Sequence, residues 1–308
     1  MSPDLPYELD QRPVAAVVIS SQLAFGSVGN NVIGRVIERA GHRVICIPTV
    51  MFSNLPHYHS LAGGALDDGW LGGILDDLLA RAVLGEARFV CVGYLAHPGQ
   101  ARIIGEWFSR VRGSNPGIQL VVDPAMGDDD VGLYTAPEVV EGYIRHLMPL
   151  ASAVTPNNFE LGLLTEGHDG HSAEERARSL LTPTLRWVAI TSAAPSSGTG
   201  AAPSSGTSAA PSSGTGAAPS SGTGAAPSSG TGAATVDTLL VTDAGTRLVE
   251  TPLVESRAKG AGDFFLGTTV GALLNGCGLE DAIADAARAT ARALAGGDPY
   301  FSTRPPTA

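Results

Sequence analysis

Short unbroken apolar runs alternate along this chain with stretches whose apolar residues recur every three or four positions. Val14-Ala15-Ala16-Val17-Val18-Ile19 does not alternate with polar residues, which predicts a strand buried on both faces. Gly29 to Ala40 carries Val32, Val36 and Ile37 at helical spacing and ends at Gly41. The same reading predicts strands over Arg43–Thr49, Arg88–Val92, Ile118–Val122, Ala151–Val154 and Trp187–Thr191. Helices are predicted over Trp70–Leu84, Pro98–Val111, Pro137–Leu147 and Ser172–Leu181. Farther on, Thr238–Thr242 and Thr246–Leu253 read as a hairpin around Asp243-Ala244-Gly245. Two helices, Gly262–Leu274 and Leu279–Ala295, close the chain around Gly276-Cys277-Gly278. Strand and helix in alternation predict an α/β fold in three layers, with a mainly parallel central sheet. Ligands of such sheets lie beyond the carboxyl ends of the strands, so chemistry is expected just after each strand.

One segment breaks this rhythm. Residues 193–234 repeat Pro-Ser-Ser-Gly-Thr-Gly-Ala-Ala, with Pro195, Pro203, Pro211, Pro219 and Pro227 in register. No charged residue lies between Arg186 and Asp237, and the unit has no large apolar side chain. Nothing in it can be buried to offset the entropy of ordering, and no face exists to stack as a solenoid. The expectation is an inserted disordered loop, with residues 1–192 and 235–308 forming one domain. The net charge of −11 falls entirely outside the repeat. No basic cluster offers a footprint for nucleic acid. Cys46, Cys91 and Cys277 lack metal-ligand spacing and read as buried free thiols of a reducing compartment. The start, Met1 to Pro13, lacks the pattern of a signal peptide, and no apolar run is long enough for a membrane span. A cytoplasmic protein is expected.

The segments after the strands are polar in a consistent way. Ser20-Ser21-Gln22 leads into Gly26-Ser27-Val28-Gly29-Asn30, where Ser27 or Asn30 could equally cap the next helix. Thr49 to Tyr58 places Phe52 and Tyr58 among hydrogen-bonding groups, which suits a flat heteroaromatic ring or a packed surface loop. Gly93-Tyr94 follows the third strand, and Asp123-Pro124-Ala125-Met126-Gly127-Asp128 the fourth. In Thr155-Pro156-Asn157-Asn158-Phe159-Glu160, Asn157 and Glu160 have the spacing of a capping box, and either could also reach the water shell of magnesium. Thr191-Ser192 follows the sixth strand.

Lys259-Gly260-Ala261-Gly262-Asp263 is the most telling stretch. Glycines let backbone amides crowd around an anion at a helix start, and the helix dipole adds positive potential there. Asp263 beside such a cradle could accept a proton from a hydroxyl, the pairing that phosphoryl transfer to an alcohol needs. An ordinary capped helix would read the same way in isolation. No Gly-x-x-x-x-Gly-Lys-[Ser/Thr] loop is present, which excludes a P-loop enzyme.

Taken in order, these pieces resemble the pyridoxal kinases of the ribokinase-like superfamily over nearly all of the chain outside the repeat and the termini. The resemblance implies a ribokinase-like α/β/α fold and ATP-dependent phosphorylation of the 5′-hydroxymethyl of pyridoxal, and of pyridoxine and pyridoxamine. It implies Asp263 as general base and the amides of Gly260, Ala261 and Gly262 as the anion hole. Ser21, Phe52 and Tyr94 resemble the residues around the pyridine ring. Asp123, Asn157, Glu160, Thr191 and Ser192 resemble groups around ATP, with Asp123 and Glu160 also serving Mg²⁺. Asp128 to Tyr134 resembles a lid over ATP. A homodimer is implied, and a monovalent cation is a second ion to be tested. Two departures stand out: Ala261 replaces a common Thr, and Leu55-Pro56-His57-Tyr58 replaces the usual His-Thr-Gly-Tyr near the substrate. A hydroxymethylpyrimidine or sugar kinase, and a non-catalytic vitamin-binding regulator, are the alternatives. Intact Asp263 and its glycines argue against the regulator.

Overall fold

The computed structural model describes residues 7–165, 170–193 and 234–296. The parallel strands are β1 (Val14–Leu23), β2 (Arg43–Phe52), β4 (Phe89–Val92), β5 (Gln119–Val122), β8 (Ala153–Val154) and β9 (Trp187–Ala193). Antiparallel strands finish both edges: β3 (Gly63–Ala65) pairs with β2, and β10 (Thr235–Thr242) with β9 and β11 (Gly245–Pro252). The sheet runs β11-β10-β9-β8-β5-β4-β1-β2-β3. Helices α1 (Asn30–Arg39), α7 (Ala261–Leu274) and α8 (Leu279–Leu294) cover one face through Ile33, Ile37, Phe265, Leu266 and Ile283. The other face is packed by α2 (Asp68–Ala80), α3 (Pro98–Ser114), α4 (Pro137–Gly142), α5 (Asn158–Leu164) and α6 (Ala173–Leu180). Phe89 to Val92 is buried throughout, as its continuous apolarity requires of a central parallel strand. On α3, Trp107 and Phe108 are buried, and the Trp107 indole donates to the Leu75 carbonyl at 2.8 Å, which satisfies its one polar atom.

The chain order moves outward from β1 to β2 and β3, then returns to the other side of β1 for β4, β5, β8 and β9. The topological switch therefore lies between β1 and β4, where a crevice opens at the carboxyl ends.

Several elements differ from the sequence expectation. β1 and β2 run on to Leu23 and Phe52, because Gln22 and Leu23 keep pairing with Met51 and Phe52. The Asn31 side chain locks this extension, accepting from the Leu23 amide at 2.9 Å and donating to the Leu23 carbonyl at 2.9 Å. Neither Ser27 nor Asn30 caps α1. Helix α2 starts early because the Asp67 carboxylate accepts from the amides of Gly69 and Trp70. The helix expected to reach Leu147 leaves α geometry after Gly142 for a π turn over Tyr143–Leu147. β3 and the two-residue pair β6 (Gly127–Asp128) and β7 (Gly132–Leu133) were not foreseen. The cysteines are free, but only Cys91 is buried; Cys46 is exposed on β2 and Cys277 in the turn between α7 and α8. No helix among the described residues is long and apolar enough to cross a membrane.

The repeat, apart from its first and last residues, lies outside the described residues. Its flanks are adjacent strands, with Ala193 of β9 opposite Asp237 of β10, so a tight turn spans the same gap. Replacing residues 194–233 with a short Gly/Ser turn removes about three doublings of loop length, worth roughly 2 kcal/mol of closure entropy. We expect unchanged kcat and an equal or higher melting temperature. A rise of more than about tenfold in KM for ATP, with melting unchanged, would instead make the repeat a cover over the nucleotide; that factor equals about 1.4 kcal/mol of binding.

Candidate active site

The residues singled out from the sequence converge on one end of the sheet. Gly260 holds φ 96°, a left-handed conformation that opens α7. A side chain is excluded there, since a Cβ would lie 2.0 Å from the carbonyl oxygen of Ser27. This contact clamps the glycine turn against the segment that precedes α1. Gly29, with φ 55°, makes the reciprocal joint. Its amide donates to the Asp263 carboxylate, and a Cβ on it would fall 2.3 Å from both the carbonyl oxygen and the Oγ of Ser21. Ser21 of β1 and Asp263 of α7 are thus held together through one glycine.

Asp263 is the third residue of α7 and is half-buried. Burial raises its carboxyl from 3.8 to about 6, against the lowering effect of the Gly29 amide. Asp123, just after β5, is buried; burial first and then the charge of Asp263 push it to about 7, opposed by the 2.8 Å bond that Thr155 Oγ1 donates to its Oδ1. Its Oδ2 faces the opening turn of α7, where a Cβ on Gly262 would stand 3.9 Å away. Two mutually repelling carboxylates beside the glycine turn are thus held at a cost, which a cation would relieve.

Glu160 and Asn157 form the capping box that their spacing predicts. Glu160 does more than cap. Its Oε2 accepts from the Asn157 amide at 3.0 Å and its Oε1 from the Met126 amide at 2.9 Å, so it ties α5 to the loop after β5. Burial nevertheless raises it to about 8, with Asp123 adding to the shift. The Asn157 amide group donates to the Gly127 carbonyl at 2.8 Å, and Asn157 bridges Thr191 near the carboxyl end of β9. Ser192 next to it holds φ 56°, rare for a residue with a side chain. Asp123, Asn157, Glu160, Thr191 and Ser192 therefore surround the carboxyl ends of β5, β8 and β9.

The remaining candidates stand on the far side of the crevice. Phe52 ends β2 opposite Leu23. Tyr94 follows β4, its amide donating to Ser20 Oγ at 3.1 Å and its carbonyl accepting from Thr49 Oγ1 at 2.6 Å. Ser21, Phe52 and Tyr94 occupy three neighbouring strand ends, β4-β1-β2. Pro56 and His57 are exposed, in the loop joining β2 to β3.

The structure adds Tyr134, to which the sequence assigned no separate role. The β6–β7 pair folds it back so that its amide donates to the Met126 carbonyl at 2.9 Å. Burial first, then the charges of Glu160, Asp123, Asp263 and Asp128, raise its phenol above the ordinary tyrosine value. Its phenol thus stays neutral near these carboxylates, although the residue as a whole is 50% exposed. Two-residue strands leave no periodicity from which this placement could have been read.

Among the described residues, no three His, Cys, Asp or Glu side chains gather into a metal cage. Mg²⁺ takes one or two carboxylates and completes its shell with water and phosphate oxygens. Asp123, whose Oδ2 accepts no hydrogen bond from Thr155, could hold such an ion directly, and Glu160, with both oxygens engaged by amides, could do so through water.

Residues 86–301 match the model of the phosphomethylpyrimidine kinase family. A pyridoxine/pyridoxal/pyridoxamine kinase of Bordetella avium is 37% identical over 299 residues, covering 96% of this chain and 90% of that protein. A pyridoxal kinase from Leishmania donovani, solved with ADP and pyridoxamine, superposes with a TM-score of 0.69 at 25% identity, covering 89% of this chain and 83% of that one. A pyridoxal kinase from Entamoeba histolytica has the same ribokinase-like fold, with a TM-score of 0.74 at 18% identity over 94% of this chain and 91% of that one. The family model begins after Ser21 and Phe52, whereas the Bordetella relative spans almost the whole chain.

Proposed function

The chain belongs to the pyridoxal kinases, and from that premise we propose how its own residues carry the reaction. The enzyme transfers the γ-phosphoryl group of ATP to the 5′-hydroxymethyl of pyridoxal, and of pyridoxine and pyridoxamine, in the salvage of vitamin B6. The observation that supports our assignment best is the joint at Gly29, which fixes Ser21 on the vitamer side against Asp263 on the transfer side. Ser21, Phe52 and Tyr94 hold the pyridine ring in the β4-β1-β2 crevice. Asp263 accepts the proton of the hydroxymethyl as its oxygen attacks phosphorus. The amides of Gly260, Ala261 and Gly262, aimed by the α7 dipole, stabilise charge on the migrating group. Ala261 serves as well as Thr there, because the backbone does the binding. Asn157, Thr191 and Ser192 hold the ATP phosphates, and Tyr134 with the β6–β7 pair covers them from water. When bound, Mg²⁺ would supply positive charge to the ATP phosphates, and Asp123 and Glu160 are the residues that would hold it.

The free thiols and use of ATP support a cytoplasmic enzyme. Exposed Met51, Leu61, Trp70 and the unpaired edge of β3 support a homodimer formed on that side. Monovalent-cation dependence is tested by exchanging potassium for sodium in the same assay. The direct experiment measures ADP formed with each B6 vitamer, with Mg²⁺ and with a chelator. ADP should form with pyridoxal and Mg²⁺ and fall to background with the chelator; no vitamer-dependent ADP would contradict the assignment.

The carboxylates also set a pH dependence. Asp263 must be ionised to act as base, so kcat/KM should fall about tenfold per pH unit below its pKa of about 6. Stability moves the opposite way. Asp123, Asp263 and Glu160 bind protons more tightly in the folded state than their ordinary values of 3.8 and 4.5 allow in the unfolded chain. Their share of stability is therefore present at low pH and lost as pH rises toward about 8. Mg²⁺ should raise the melting temperature more at pH 8 than at pH 6, and Asp123→Asn should flatten that difference. An Mg²⁺ effect independent of pH, or unaltered in Asp123→Asn, would remove Asp123 from the metal site.

A further inference from the structure

A second cavity opens at the opposite end of the sheet, with a volume of about 490 Å³. It lies at the first residues of β4, β5 and β9, whereas the catalytic groups follow the last ones. The length of β9 alone, at about 3.3 Å per residue, separates the two by roughly 20 Å. Two arginines line it, Arg88 and Arg186. Arg88 donates to the Leu274 carbonyl at 3.2 Å and lies 5.6 Å from the Phe89 ring centroid. Arg186 donates to Gln119 Oε1 at 3.0 Å. These partners are all neutral, so each fork is oriented without its charge being cancelled by them. Asp243 is the single carboxylate on the lining, and Leu273 and Leu279 form apolar wall. A net positive hollow is unusual on a chain of net charge −11.

We propose that this cavity is a second ligand site, distinct from the catalytic centre, for an organic phosphomonoester. A phosphomonoester carries close to two negative charges near pH 7, enough to engage two guanidinium forks. An apolar body on the ester would then lie against Leu273 and Leu279, which inorganic phosphate cannot exploit. The cavity brings its own reporter, because the exposed thiol of Cys277 lies on its wall while Cys91 is buried and Cys46 sits on β2.

The test follows alkylation of Cys277 by iodoacetamide, read by peptide mass spectrometry on the full chain, during titration with phenyl phosphate. The Cys277 rate should fall along a saturation curve, by about tenfold at ten times the dissociation constant, with the Cys46 rate unchanged. Phenol should not protect, and inorganic phosphate should protect only at higher concentration. Arg88→Gln and Arg186→Gln should each weaken protection by about tenfold or more, as loss of a charged hydrogen bond does. Their kcat and KM should stay at the wild-type values, since neither residue approaches the catalytic end. Arg186 is tied only to a side chain, so its variant stands as the test if Arg88→Gln lowers the melting temperature. Absence of protection by phenyl phosphate, or protection that persists in the Arg186 variant, would overturn the proposal. Equal protection by phenol would assign the cavity to apolar ligands instead and overturn it as well.

Discussion

Asp263→Asn should lower kcat by roughly 10²–10⁴-fold, the usual worth of a positioned general base. The substitution keeps the size of the side chain and its acceptor oxygen for the Gly29 amide, so the joint to Ser21 survives. It removes the capacity to take the hydroxymethyl proton. It also removes one of two charges that repel each other, so Asp123 should ionise more readily and the apo protein should melt no lower than the parent. The measurement is a pair: steady-state kcat with pyridoxal, and pyridoxal affinity by calorimetry. Loss of kcat with affinity retained is the expected split. A variant with near-parental kcat would take Asp263 out of the proton transfer, and joint loss of kcat and affinity would make it a binding group.

Gly260→Ala should be nearly as damaging, by a different route. The added methyl meets the Ser27 carbonyl oxygen at 2.0 Å, and φ 96° is strained for any residue with a Cβ. Left-handed strain costs about 1–3 kcal/mol, and relief of the clash must displace the turn that carries the amides and Asp263. A misplacement of the order of 1 Å at reacting groups costs about a hundredfold in rate. We therefore expect kcat/KM to fall by about a hundredfold and the melting temperature by several degrees, at about 2–4 °C per kcal/mol for a domain near this size. Gly73→Ala is the control, since a Cβ there meets nothing within 4 Å. Full activity in Gly260→Ala would show that the turn does not set the geometry of transfer.

Much of this design can be read from the chain because its signals are local. Val90 to Val92 cannot be anything but interior, and Asn157 with Glu160 carries its helix start in four residues. The glycine turn before Asp263 announces positive φ by its composition. What escapes is set by contacts distant in sequence. That Glu160 reaches the Met126 amide, or that Gly29 reaches Asp263, depends on how α5 and α7 settle on the sheet. The ends of β1 and β2 look like loops because Ser20, Ser21 and Gln22 are polar, yet the Asn31 amide and the continuing ladder hold them in the strand. β3, β6 and β7 are too short for any period to show. The arginine-lined cavity joins residues from Arg88 to Leu279, and no local motif gathers them.

The central claim is that this crevice phosphorylates a B6 vitamer rather than a related alcohol. Competition tests it most directly. Pyridoxal, hydroxymethylpyrimidine and ribose are supplied together at equal concentration with limiting ATP-Mg, and the phosphorylated products are separated and weighed by mass spectrometry. Pyridoxal 5′-phosphate should account for nearly all the phosphate transferred by the parent enzyme, and Asp263→Asn should form almost none. Phosphorylated pyrimidine or sugar as the main product would contradict the account.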